Sequence, residues 1–233
     1  SGNSLLVEFR SDCGTNDAGW HAEWNAIIPV IGNPPTTYIA FDENQWVTSS
    51  FNLNFQDEDD HYLLYRFYQV MGNDGTRWTA NPNRGFFCDN FDDLNLNAWR
   101  INSGTWSINN SQLFQNDMVS ANLATALKGD LSDVYMYDFY GKFLQTNSAQ
   151  DELGIYFHSD TNLFENSESA YYIAVFPNDG CVCFYKVIQG VKTEMYRCHN
   201  VTTTIGTNFF YRIIHDRQSG EIWFFRDGIC LGQ

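Results

Sequence analysis

Between residues 105 and 226 the chain alternates short apolar runs with polar breaks, the runs falling at 105–109, 134–144, 153–158, 170–176, 181–188, 191–198, 209–215 and 221–226. They are rich in Val, Ile, Phe and Tyr and are bounded by Gly, Asn, Asp or Pro, which is strand patterning. No long 3.6-residue period competes with them, so helix is expected to be minor. Further upstream Phe51, Leu53 and Phe55 share one face and Asn52, Asn54 and Gln56 the other. A second run, Tyr62 to Val70, leads into a turn at Gly72-Asn73-Asp74-Gly75. Pro29, Pro34 and Pro35 with Gly32 mark residues 28–35 as a linker, because proline cannot join a sheet ladder from inside a strand.

Composition agrees with packed β-sheet: 19 Phe, 13 Tyr and 7 Trp with 17 Gly, in a chain that is only 18% charged. A length of 233 residues is enough for one large core or several small ones. The formal charge of −15 excludes more than it includes, since phosphate backbones and anionic membranes repel such a surface. Nucleic acid is therefore not an expected partner. No apolar run approaches the roughly 20 residues that span a bilayer as helix.

Two stretches carry family resemblances. Residues 85–115 hold an Asp-rich first strand (Asp89, Asp92, Asp93), then Trp99, a short turn, and a strand carrying G-x-W-x-I at Gly104 to Ile108. This order resembles the opening of a concanavalin-A-like jelly roll, the LamG-type sandwich of many extracellular carbohydrate-binding modules. Residues 1–27 place Phe9, Ser11, Asp12, Gly19, Trp20, Ala22 and Trp24 as in the last two strands of a CUB domain. Residues 38–84 resemble the meander of bacterial Ig-like repeats. The expected organisation is all-β: CUB-like strands at 1–27, a Pro-containing linker with a short Ig-like meander at 28–84, and a jelly-roll sandwich at 85–233. Both ends read as strands cut short, so the chain is taken as a piece of a longer protein. The combination is similar to large bacterial surface proteins exported by type IX secretion, which implies a secreted or cell-surface location.

Calcium is the cofactor the resemblances imply, as a structural ion. In the calcium-binding CUB subset the Asp of F-x-S-D is a ligand, which points to Asp12. In jelly-roll modules an early Asp serves, which points to Asp89, Asp92 or Asp93. Oxygen-rich clusters of this kind suit a hard cation, and Asp57, Glu58, Asp59 and Asp60 form another, although none fits an EF-hand loop. Solvated acidic residues are the plain alternative.

Six cysteines at this length point to an oxidising compartment, with free buried thiols as the alternative. If Gln189-Gly190 is a two-residue hairpin loop, Ile188 faces Val191 and counting outward sets Cys181 opposite Cys198. That position has the parity at which Cα atoms approach to about 4.5 Å and a disulfide closes. A zinc site from Cys181, Cys183, Cys198 and His199 matches no familiar spacing. Cys88 and Cys230 lie near the two ends of the jelly-roll segment, and Cys13 stands apart.

Glycoside hydrolysis needs two carboxylates about 5–10 Å apart. The E-x-D-x-x-E strand motif is absent, and Asp151, Glu152, Glu165 and Glu168 fall in polar loop sequence. His158, His199 and His215 sit in no nucleophile or metalloprotease motif. The chain therefore reads as non-catalytic: a secreted or surface binding protein for adhesion or glycan recognition, its partner a glycan or a surface protein. Exposed aromatics suited to sugar are sought among Tyr135, Tyr137, Tyr171 and Tyr185, with Arg197, while Trp99, Trp106 and Trp223 are expected to be structural. An assembly subunit of a surface fibre that pairs with neighbouring protomers is one alternative, and an accessory module of a secreted hydrolase is another.

Overall fold

The computed structural model describes residues 36–39, 54–58, 67, 71–73, 78–80, 87–117, 121–125, 133–160 and 169–233. The expected CUB-like strands with Asp12, the linker at 28–35, Glu165 and Glu168 lie outside them. The chain divides into two compact units, Ser1–Arg66 and Phe67–Gln233. In the first, β1 (Thr36–Ile39) pairs antiparallel with β2 (Phe55–Glu58). No helix among the described residues is long and apolar enough to cross a membrane.

The second unit is all-β over its described residues, and its strands follow the sequence runs closely. Three small antiparallel pairs come first. They join β3 (Met71–Asn73) to β4 (Trp78–Ala80), β5 (Arg100–Ser103) to β8 (Asn122–Ala124), and β6 (Trp106–Asn109) to β7 (Gln112–Gln115). The β6–β7 hairpin turns through Asn110 and Ser111, both at positive φ, as a two-residue primed turn requires.

Two four-stranded antiparallel sheets follow. One is a meander of β10 (Leu153–Phe157), β11 (Ala170–Phe176), β12 (Cys181–Ile188) and β13 (Val191–His199). The other runs in the order β16 (Ile229–Gly232), β15 (Glu221–Arg226), β14 (Phe209–Asp216) and β9 (Val134–Gly141). The chain leaves β9, builds the whole first sheet, and returns to lay β14 beside β9. Alternation fixes which side chains meet between the sheets. Ile173, Val175, Val182 and Phe184 from the first face Tyr211, Ile213 and Phe224 from the second, with Phe157 and Val201 completing the core. This two-sheet sandwich is the expected fold class.

The far face of the first sheet is also covered. Ala170, Tyr172, Ala174 and Val187 are buried there, with Tyr156, Phe176 and Tyr185 packed against them. Small residues make room for rings: a Cβ at Gly154 would lie 2.0 Å from the Tyr172 hydroxyl oxygen and 2.4 Å from its ring. Gly154→Ala is therefore expected to displace Tyr172 and cost about 1–3 kcal/mol, the usual range for overpacking. Urea denaturation of the two proteins measures it.

Two bulges break the ladders. Between Phe224 and Phe225 the register with β16 slips by one residue. Between Phe184 and Tyr185 the partners jump from Tyr196 to Glu194, which leaves Met195 as the extra residue of β13. The hairpin loop is as expected, with Ile188 opposite Val191, but beyond the bulge Cys181 faces His199 and Cys198 faces Val182. The expected Cys181–Cys198 disulfide is thus not formed, since the bulge turns the two thiols to opposite faces of the sheet. Among the described residues Cys88, Cys181, Cys183, Cys198 and Cys230 are all free.

Candidate binding site

At one end of the sandwich the sheets leave a cavity of about 290 Å³. Its floor is aromatic and aliphatic: Phe157 from β10, Tyr171 and Ile173 from β11, Phe184 from β12 and Ile222 from β15. The rim is formed by Met195, Tyr196, Gly220, Glu221 and Gln233. Tyr196 owes its place to the bulge. An unbroken ladder would oppose it to Cys183 on the far face, whereas the extra residue Met195 sets it opposite Phe184 on the cavity side. Its ring meets Phe184 edge-on at 5.6 Å and remains 42% exposed.

Polar atoms at the rim are few and already oriented. The Gln233 amide donates to a Glu221 carboxylate oxygen at 3.3 Å, and the Ser219 hydroxyl donates to the other at 3.3 Å. The Tyr196 hydroxyl lies 3.5 Å from the Leu231 carbonyl oxygen. An apolar floor and the Tyr196 ring beneath a carboxylate and an amide suit a ligand with one apolar face and hydroxyls at its edge.

Tyr172 and Tyr185 also line the cavity, and a stack of rings on the first sheet holds them in place. Tyr156 and Tyr172 stack with centroids 4.0 Å apart, and Tyr185 follows at 5.8 Å. Lys192 places its ammonium 3.9 Å above the Tyr172 ring and 3.7 Å from Glu152. Glu152 also accepts the Tyr172 hydroxyl at 2.6 Å. Burial and the neighbouring Glu152 carboxylate push the Tyr172 phenol well above its ordinary value. With both the ring face and the hydroxyl engaged and only 4% of the residue exposed, Tyr172 is not an open platform.

The residues singled out from sequence divide unevenly. Tyr171 lines the cavity floor and Tyr185 contributes to its wall, whereas Arg197 holds Glu194 through two contacts of 2.6 and 3.2 Å. Tyr135 and Tyr137 turn inward and stack on each other at 6.4 Å. Trp99 is half-buried between Phe87 and Phe91, and Trp106 donates to the Ser103 carbonyl at 2.9 Å.

The Asp-rich segment is a run of turns, which corrects the expectation of a strand. Asp89 accepts the Phe91 amide at 2.9 Å and the Trp99 indole at 2.7 Å, Asp93 accepts the Asn95 amide at 3.2 Å, and Asp92 accepts the Asn90 side chain at 2.5 Å. Asp and Asn side chains bond the backbone two residues on and so compete with a ladder. Among the described residues no three His, Cys, Asp or Glu side chains converge as a metal site. Asp151 likewise holds a turn: the Asn147 and Ser148 amides donate to its carboxylate and lower its pKa.

Sequence reasoning missed Tyr196, Glu221 and Gln233. Nothing local marks them, because the bulge and the closure of two sheets bring them together. It also left His158 and His215 apart, yet their rings lie 4.6 Å from each other behind the cavity.

The fold and the cavity thus define an all-β sandwich with a lined pocket at one end. No family model matches the chain, and no curated protein matches it. Among solved structures it is similar to the carbohydrate-binding module CBM66 from Bacillus subtilis, with a TM-score of 0.45 and 12% identity over 59% of this chain and 79% of that one.

Proposed function

We propose that the second unit is a non-catalytic glycan-recognition module of a secreted or cell-surface protein, and that the cavity at the end of the sandwich seats a sugar ring. The observation that carries this reading is the pairing of an aromatic floor, Phe157, Tyr171 and Phe184, with Glu221, Gln233 and Tyr196 at the rim. Sugars offer an apolar face to rings and hydroxyls to carboxylate and amide groups, and this lining has both. Adhesion and export are part of the proposal and rest on the sequence resemblances. Calcium, at Asp89, Asp92 and Asp93, is part of it as a structural ion.

A glycan array with the purified protein, run in calcium and again in EDTA, tests the reading. Binding to a defined glycan supports it, and no binding in either condition overturns it. Loss of binding in EDTA would favour the ion, whereas equal binding would limit the three aspartates to the turns they already hold. Glu221→Gln keeps the shape of the rim and removes its charge. It is expected to weaken the array ligand about tenfold, as for a hydrogen bond to a charged group, and isothermal titration reads the change.

A further inference from the structure

The inner face of β14 ends in His215, which is 4% exposed and whose Nδ1 has no hydrogen-bond partner. Its register neighbours are Tyr135 on β9 and Ile222 on β15. From the other sheet Phe157 and Tyr171 meet it at 5.8 and 5.1 Å. Three of these, Phe157, Tyr171 and Ile222, also line the cavity. His215 is therefore part of the wall behind the proposed sugar site without lining it.

The second imidazole stands at the end of β10. His158 has a φ of 49°, in the left-handed region that a non-glycine residue enters at a cost. Its Nε2 lies 3.2 Å from the Tyr137 hydroxyl, and the Tyr135 ring meets it edge-on at 4.9 Å. The pair lies where tyrosine side chains of β9 in one sheet meet the end of β10 in the other.

We propose that His158 and His215 form an acid-operated latch on the cavity: closed while His215 is neutral, and opened when a proton enters the ring cluster that separates it from the ligand space. The titratable or charged groups that face His215 among the described residues are Tyr135 beside it in register on β9, His158 at the end of β10 and Tyr171 from β11, with Asp216 and Arg217 next to it in the chain. A proton on His215 would sit among rings with no acceptor at Nδ1, and a charge on His158 would repel it. Burial first, and Arg217 second, hold the His215 pKa below its ordinary value against the opposing effect of Asp216. Below about pH 6.5 the unfolded chain then binds more protons than the folded one, so stability is full above that pH and falls as the pH drops. Opening relieves the conflict by letting water reach the ring.

The meaning of the latch for a ligand rests on the proposed function, but its test uses no glycan, so the two fail separately. Wild type, His215→Phe and His215→Leu are compared between pH 7.5 and 5.0 by urea denaturation and by fluorescence of the apolar dye ANS. Wild type is expected to lose roughly tenfold in its folding equilibrium for each unit by which the His215 pKa is depressed, and to bind ANS at pH 5.0 before it unfolds. Both variants should lose most of this acid dependence. An NMR titration of the wild-type imidazoles needs no variant and should place His215 below 6.5. An equal acid loss in either variant that folds, absence of ANS binding at pH 5.0, or titration of His215 at or above 6.5 overturns the proposal.

Discussion

Phe224→Ala is expected to lower the unfolding free energy by about 3–5 kcal/mol, the range for removing a fully buried ring from a core. Phe224 is 0% exposed and sits where the two sheets press together. Its ring stacks on Tyr211 at 5.7 Å and meets Phe184 edge-on at 5.9 Å. The neighbours are held by their own strands and cannot close the gap, so the cavity term adds to the lost transfer energy. For a domain whose total stability is about 5–15 kcal/mol this is a large fraction. Urea denaturation should show a lower midpoint with an unchanged slope. Phe225→Ala, on the opposite face of the same strand, should cost clearly less. Equal costs would mean that the sheets do not pack through this face.

Tyr196→Ala should weaken glycan binding by about ten- to a hundredfold, or roughly 1.4–2.8 kcal/mol, with little effect on stability. The ring stands at the rim, 42% exposed, and forms the one aromatic wall that β13 contributes. A stacked ring contributes to affinity through its area and its face, and alanine removes both. Tyr196→Phe keeps the ring and should bind nearly as wild type, because the hydroxyl makes only a 3.5 Å contact to the Leu231 carbonyl. Calorimetry with the best array ligand distinguishes these outcomes. Phe and Ala variants that weaken binding alike would assign the effect to the hydroxyl and not to the ring.

Strand positions were legible because period-2 patterning is local. The runs at 170–176, 181–188 and 221–226 coincide with β11, β12 and β15. The Gln189-Gly190 loop was legible as well, since its neighbours Ile188 and Val191 pair as counted. The bulge was not. Nothing in K-T-E-M-Y-R marks Met195 as the extra residue, and a slip of one position exchanges faces for everything beyond it. That one event separates Cys181 from Cys198 and turns Tyr196 toward the cavity.

The Asp-rich segment failed for a different reason. The family resemblance implies a strand for Asp89, Asp92 and Asp93, whereas their own side chains favour turns, and the local chemistry prevails. Glu221 and Gln233 could not be read as site residues at all. Their position depends on how two sheets meet, and His158 and His215 come together for the same non-local reason.

Ligand is expected to enter the cavity at the end of the sandwich, and backbone chemical-shift mapping by NMR during titration with the best array glycan locates where it binds. Shifts concentrated at residues 171–173, 184–185, 195–196 and 220–222 are the result expected from this geometry. Shifts concentrated instead around the exposed Tyr140 and its neighbour Phe210, beside the Arg212–Asp138 ion pair, would contradict it and move recognition to the outer face of the second sheet.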